Sequence, residues 1–192
     1  MEAADITQGT WLNPAEKVEA TEEGLFVTAK DRSDFWRTTS YGFVHNSGHV
    51  LLNDFPQGTA MEASWILDYD QQFDQAGLMM WADERNWIKA GVEYADGAPQ
   101  LGAVVTREVS DWSVAPVTEW MHQEIHLRMS RQGDAVTIRA RSEGPWQLVR
   151  VAPLDPELTW QAGIHVASPT RSGLTVRFTS RTTGPADISL HE

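Results

Sequence analysis

The sequence predicts an all-β chain: two antiparallel sheets packed face to face as a β-sandwich. Three observations carry this. Apolar and polar residues alternate with period two in one run after another, which marks strands with one buried face. Turn-forming pairs separate the runs, among them Ser47-Gly48, Asp96-Gly97, Gln132-Gly133 and Gly144-Pro145. Finally, no window longer than a single turn sustains a helical period.

The strands follow in order. Residues 24–30 (GLFVTAK) form a short strand, 35–39 and 43–45 two more, and a turn at 46–48 leads into 49–53. In the run 59–69, Met61, Ala63, Trp65 and Leu67 share a side. In the next strand Leu78, Met80 and Ala82 oppose Gln75, Gly77, Met79 and Trp81. A turn at Asp83-Glu84-Arg85 leads to 86–94, where Ile88, Ala90, Val92 and Tyr94 oppose Trp87, Lys89, Gly91 and Glu93. Strands at 100–107, 124–131, 135–142, 146–151, 160–167 and 173–181 complete the set, with 112–118 as a connection. Pro153 and Pro156 interrupt the pattern, leaving room for one helical turn at 155–158. The final strand alternates Leu174, Val176 and Phe178 with Thr175, Arg177 and Thr179. It is expected inside a sheet near the N-terminal strand.

A chain of 192 residues with no linker, internal repeat or low-complexity segment is expected to be one domain. Its core would run from about 11 to 181, with a short polar tail over 187–192. Hydrophobic residues at 41% and charged residues at 22% suit a folded core and not a disordered chain. A net charge of −12 leaves no basic footprint for nucleic acid or an anionic membrane. The absence of cysteine excludes disulfides, thiolate metal sites and a cysteine nucleophile. The N-terminal residues show no basic start before an apolar run, and no stretch is long enough for a membrane span. A soluble, cytoplasmic protein is the expectation.

The strand over 86–94 is the most informative for function. A solvated face does not need a tryptophan, yet Trp87 shares a side with Lys89 and Glu93, and Trp81 shares one with Gln75 on the neighbouring strand. Aromatic planes beside amide, ammonium and carboxylate groups suit a sugar, whose C–H face stacks and whose hydroxyls need donors and acceptors. The bland alternative is a solvated face carrying a Lys89–Glu93 ion pair. Glu124, His126, Arg128 and Ser130 line the polar side of a later strand. If that strand joins the same sheet, His126 and Arg128 face Lys89 and Glu93, and two cations favour an acidic sugar such as a uronate or sugar phosphate. The run Ser110-Asp111-Trp112-Ser113 reads as a rim loop in which Asp111 bonds a hydroxyl and Trp112 stacks. Trp36, Arg37 and Tyr41 have the same potential.

Other chemistry is poorly represented. His45/His49 and His122/His126 lack the shared face that their spacing would give on a helix, and Asp68, Asp70 and Asp74 suit a polar turn better than a cation site. No nucleophile elbow or phosphate-binding glycine loop is present. No metal or cofactor is expected.

The ordered blocks DFWRTTSYGFVHNSGH (34–49), FDQAGLMMWADERNWIKAGVEYADG (73–97) and VVTREVSDWS (104–113) resemble the DUF1349 family. That resemblance implies a concanavalin A-like jelly roll with a concave face, of the kind found in lectins and laminarinase-type glycosidases, and a link to saccharide metabolism without a settled reaction. Laminarinase-type enzymes carry an E-x-D-x-x-E run on one strand, which this sequence lacks. Glycoside hydrolysis needs two carboxyls roughly 5 Å apart for retention or about 6.5–9.5 Å for inversion. Here that requires Glu93 with Glu62, Glu108 or Glu124 on an adjacent strand. The expected function is carbohydrate binding through Gln75, Trp81, Trp87, Lys89, Glu93, Asp111, Trp112, His126 and Arg128. The alternatives are a glycoside-active enzyme using Glu93 as acid/base, and a regulatory module that binds another protein; under any of these readings a sheet edge leaves a homodimer open.

Overall fold

The computed structural model describes residues 1–190. In chain order its strands are β1 (Glu2–Ala3), β2 (Thr10–Leu12), β3 (Lys17–Thr21), β4 (Gly24–Thr28), β5 (Phe35–Arg37), β6 (Val44–Asn46), β7 (His49–Asp54), β8 (Thr59–Ile66) and β9 (Gln75–Asp83). There follow β10 (Asn86–Ala95), β11 (Ala98–Arg107), β12 (Val109–Pro116), β13 (Glu124–Gln132), β14 (Ala135–Arg141), β15 (Gln147–Pro153), β16 (Gln161–Ala167) and β17 (Thr175–Pro185). They form two large antiparallel sheets. The first has the order β15-β14-β13-β8-β17-β4-β3 with β1 alongside β17; the second has the order β12-β11-β10-β9-β16-β7-β2. The sandwich read from the alternation is the architecture observed, and β17 lies inside its sheet, between β8 and β4 and in contact with β1.

The core lies between the sheets and is built from the sides that the alternation assigns to it. Met61, Ala63, Trp65, Leu67, Leu78, Met80, Ile88, Ala90, Val92, Leu174, Val176 and Phe178 are all buried there. Burying such side chains, each worth about 1.5–3 kcal/mol, is what drives the two sheets together. The helical turn expected at 155–158 is only a bend closed by Leu158 N–H donating to Asp155 C=O. The segment 112–118, expected as a connection, is mostly strand, because β12 runs to Pro116; a short 3-10 turn follows at Thr118–Trp120 and buries Trp120 in the core.

The two outer faces are handled differently. On the first sheet, Arg128 of β13 donates to Glu62 Oε1 at 2.8 Å and, through Nε, to Asp187 Oδ1 at 2.8 Å. Arg139 holds the other Asp187 oxygen, and Ser130 Oγ accepts from the Asp187 backbone N–H at 2.8 Å. The expected polar tail is therefore tied down at its start; its last two residues, 191–192, lie outside the described residues. On the second sheet the outer face carries Val50, Leu52, Met79, Trp87 and Val104, too apolar to face water. The hairpin β5–β6 lies over it and buries Phe35 and Trp36 there as a second, smaller core.

Candidate functional site

The register of the second sheet fixes what lies beside that hairpin. On the outer face Trp112, Val104, Lys89, Met79 and Gly163 stand in one row across β12, β11, β10, β9 and β16. The next row is Val114, Gly102, Gly91, Gly77 and His165, and the one after it runs through Gln100, Glu93 and Gln75. Three adjacent glycines thus leave a trough between the Lys89 row and the Glu93 row. No side chain fits there without backbone movement: a Cβ on Gly91 would lie 2.0 Å from the Ala76 carbonyl oxygen, and one on Gly77 2.0 Å from that of Ala90.

Over the trough itself is a small hollow of about 30 Å³. Beside it, under the hairpin loop, lies a larger cleft of about 380 Å³ that shares Gln75, Lys89, Glu93, Val104 and Trp112 with the hollow. Its wall is aromatic. Tyr41 and Phe43 stack at 5.3 Å with 15° between their planes, and Trp36 meets both Tyr41 and Trp112 edge-on, at 5.5 and 6.3 Å. Trp36 is oriented by its indole N–H, which donates to Thr39 C=O at 2.9 Å. The loop that presents these rings is strained: Thr38 and Ser40 have φ of 66° and 62°, in the left-handed region that residues other than glycine seldom occupy and a β-branched one such as Thr38 least of all. Such conformations persist where surrounding contacts impose them, commonly at ligand sites. Tyr41 and Phe43 remain 57% and 41% exposed, as large apolar groups in a waiting site would be.

The polar groups divide into those already committed and one that is not. The ammonium of Lys89 is buried and donates to Gln75 Oε1 at 2.7 Å and to Asp34 Oδ1 at 3.3 Å. Asp34 Oδ1 also accepts from the Phe35 N–H at 2.7 Å, so the Lys89–Asp34 pair ties the hairpin base to the sheet. Glu93 also lines the cleft, and its carboxylate accepts no hydrogen bond from a described residue. Burial raises its pKa to about 7; Lys89 opposes that rise, while Asp34 and Asp96 add to it. His165 lies under Phe35 with ring centroids 5.7 Å apart, and burial, with Lys89 and His49 nearby, holds its pKa well below the ordinary range. No group of three or more His, Asp or Glu side chains converges as a metal site among the described residues.

Of the residues singled out from sequence, the fold brings Trp36, Tyr41, Gln75, Lys89, Glu93 and Trp112 together in this cleft. It moves the others elsewhere. His126 and Arg128 sit on β13 in the opposite sheet, so they cannot face Lys89 and Glu93. His126 pairs with Ser64 Oγ at 2.7 Å, and Arg128 is spent on Glu62 and Asp187. The case for an acidic sugar, which needed Arg128 beside Lys89, goes with them. Trp87 is on the predicted side but fully buried beneath Phe35, at 5.8 Å between rings, and Trp81 packs against the same ring at 5.8 Å. Both support the hairpin and offer no open platform. Asp111 belongs to strand β12, not to a rim loop; it points away from Trp112 and accepts from Arg150 Nη2 at 2.9 Å, across the sandwich edge. The carboxylates suggested as partners for Glu93 are also elsewhere: Glu62 and Glu124 are in the first sheet, and Glu108 pairs with Arg85 at 3.0 Å. Asp34 and Phe43 are the site residues that sequence reasoning missed. The only signal for them was their place within the aromatic segment 34–45.

A family model described as "Protein of unknown function (DUF1349)" matches residues 11–186. The chain belongs to this family. It is 34% identical to "Regulation of enolase protein 1" of Saccharomyces cerevisiae over 190 residues, covering 98% of this chain and 96% of that protein. A crystal structure of a functionally unknown protein from the same yeast superposes with a TM-score of 0.89 at 32% identity, covering 97% of this chain and 100% of the other. More distant likenesses show the fold alone. A carbohydrate binding module, CBM66 from Bacillus subtilis, gives a TM-score of 0.57 at 18% identity over 92% of this chain and 96% of the module. A xylan β-1,4-xylosidase from Bacillus halodurans C-125 gives 0.63 at 13% identity, over 83% of this chain but only 32% of the enzyme.

Proposed function

We propose that this protein binds a saccharide or sugar-derived ligand in the cleft between the β5–β6 hairpin and the glycine trough of the second sheet. The observation that carries this reading is an exposed aromatic wall in a cleft that also holds Asp34, Gln75, Lys89 and Glu93 and borders the glycine trough. A flat, hydroxylated ring fits such a slot. Its C–H face can lie on Tyr41, Phe43 or Trp112. Its hydroxyls can reach Glu93, Asp34 and Gln100 along the edges. The likeness to a carbohydrate binding module supports the reading at the level of fold.

Binding is favoured over hydrolysis. Asp34 is the other carboxylate lining the cleft with Glu93, and it serves as the hairpin's tie to Lys89 and to the Phe35 N–H. Titration calorimetry with a panel of mono- and oligosaccharides tests the proposal, with chromogenic 4-nitrophenyl glycosides as the catalytic control. Binding at millimolar dissociation constants or tighter, weakened on truncating Trp112 or Tyr41, is expected. A panel with no binder in that range would sink the proposal.

A further inference from the structure

We propose that the ligand of this cleft carries an ammonium group, as an amino sugar or a similarly hydroxylated amine does, and that this group docks on Glu93. The inference rests on the binding reading above and narrows its ligand class. Of the two carboxylates that line the cleft, Asp34 is hydrogen-bonded to Lys89 and the Phe35 N–H, and Glu93 is left without a hydrogen-bonding partner among the described residues. An ionised carboxylate in such a place is costly unless a charge or a set of donors meets it.

The protein's own cations do not supply that partner. Lys89 has its ammonium between Gln75 and Asp34. Arg32 stands at the mouth with its side chain 85% exposed, beside Asp31 at 3.8 Å. His165 is buried and held neutral. Lys89 and Asp34 cancel as charges, and Arg32, the other cation lining the cleft, lies beside Asp31, so no cation among the described residues is hydrogen-bonded to Glu93.

Three properties of the site then select for a cation. The facing wall offers the π faces of Tyr41, Phe43 and Trp112, and ammonium groups are attracted to aromatic faces. The chain's net charge of −12 draws cations towards it and repels anions. An acidic ligand would place a second carboxylate or a phosphate beside Glu93, where like charges disfavour one another. A neutral sugar meets none of these objections, but it leaves Glu93 to be protonated or solvated in a buried place. An ammonium group relieves that cost directly. Burial already raises the pKa of Glu93, so docking a cation should hold the carboxylate ionised and release a proton. Lys89, Arg32, Asp34, Asp96, Tyr41, His45 and His165 are the other titratable or charged groups facing this region.

The experiment is titration calorimetry near pH 7 with D-glucosamine, D-glucose and N-acetyl-D-glucosamine, together with the galacto and manno counterparts of each. The amine of at least one series should bind roughly tenfold tighter than both its relatives, equivalent to about 1.4 kcal/mol. Its apparent enthalpy should vary with the ionisation enthalpy of the buffer in the sense of proton release, a readout that a merely structural Glu93 would not give. Glu93→Gln should bring the amine-to-neutral ratio to about one. Equal or tighter binding of the hydroxyl or acetylated sugar, or an amine preference that persists in Glu93→Gln, overturns the assignment. If neutral sugars bind without preference, only the ammonium assignment fails. If no sugar of any kind binds, the saccharide reading fails with it.

Discussion

Glu93→Gln should stabilise the unliganded protein at neutral and mildly alkaline pH, although it removes a native side chain. Glutamine keeps the shape of the protonated acid and takes the charge away. In the folded protein the Glu93 pKa is raised from 4.5 to about 7. Between those values the folded state binds more protons at this site than the unfolded state, so wild-type stability falls as pH rises. The penalty is absent below the lower value and complete above the upper one. At about 1.4 kcal/mol per pKa unit, the full difference is about 3 kcal/mol. Water in the open cleft screens the charge, so about 1–3 kcal/mol is the expected gain for the variant. Paired urea titrations of wild type and Glu93→Gln from about pH 4 to pH 8.5 measure it. The two midpoints should coincide at the acid end and separate steadily above it, with the variant more stable. Adding a ligand that docks on Glu93 should stabilise the wild type more than the variant. Midpoint differences that stay flat across the range would refute the reasoning, because they would mean the carboxylate is as well solvated folded as unfolded.

Phe35→Ala removes the ring that covers Trp81, Trp87 and His165; a loss of about 3 kcal/mol is expected in urea unfolding, with a red shift of tryptophan emission as Trp87 becomes wet. Gly91→Val places its Cβ against the Ala76 carbonyl, so the β9–β10 pairing must shift; thermal unfolding should show a loss of about 2–3 kcal/mol, and the cleft should no longer bind sugar. Asp187→Ala strips Arg128 and Arg139 of a shared partner on a half-buried face; a loss of about 1–3 kcal/mol, reduced in high salt, should appear in chemical denaturation. Trp112→Ala should leave stability close to wild type, because the ring is 36% exposed, while calorimetry should show saccharide affinity falling by the about 0.5–1.5 kcal/mol that an aromatic contact provides.

What could be read from the sequence was local. Alternation over 86–94 assigns Ile88, Ala90 and Val92 to the core and Lys89 and Glu93 to the other side, and the structure agrees. Period-two patterning relates residues along one strand, but it carries no information on which strand lies beside it. That is why β13 was free to be imagined next to β10, and why His126 and Arg128 entered the site on sequence grounds. Trp87 illustrates the same limit in another form. Its side of the strand was right, but whether that side meets water or Phe35 depends on a hairpin more than forty residues earlier in the chain. Asp111 reads as a loop residue because Ser110-Asp111-Trp112-Ser113 is polar at three of four positions, and an edge strand tolerates the same composition as a loop.

The site itself follows from an imbalance between the two outer faces. The first sheet's outer face can be solvated by charge: Glu62, Arg128, Arg139 and Asp187 meet in one ion-pair network. The second sheet cannot do this, because Met79, Trp87, Val104, Val50 and Leu52 crowd one region of it. A hairpin must cover that region, and Phe35, Trp36 and the Lys89–Asp34 tie hold it in place. The same hairpin cannot close over Gly77, Gly91 and Gly102, where it has no side chains to pack against. A cleft therefore remains at the boundary between the covered apolar region and the glycine trough, and Glu93 lines it with no hydrogen-bonding partner among the described residues. The features that make the cleft suitable for a ligand are direct consequences of how the protein hides an apolar sheet from water.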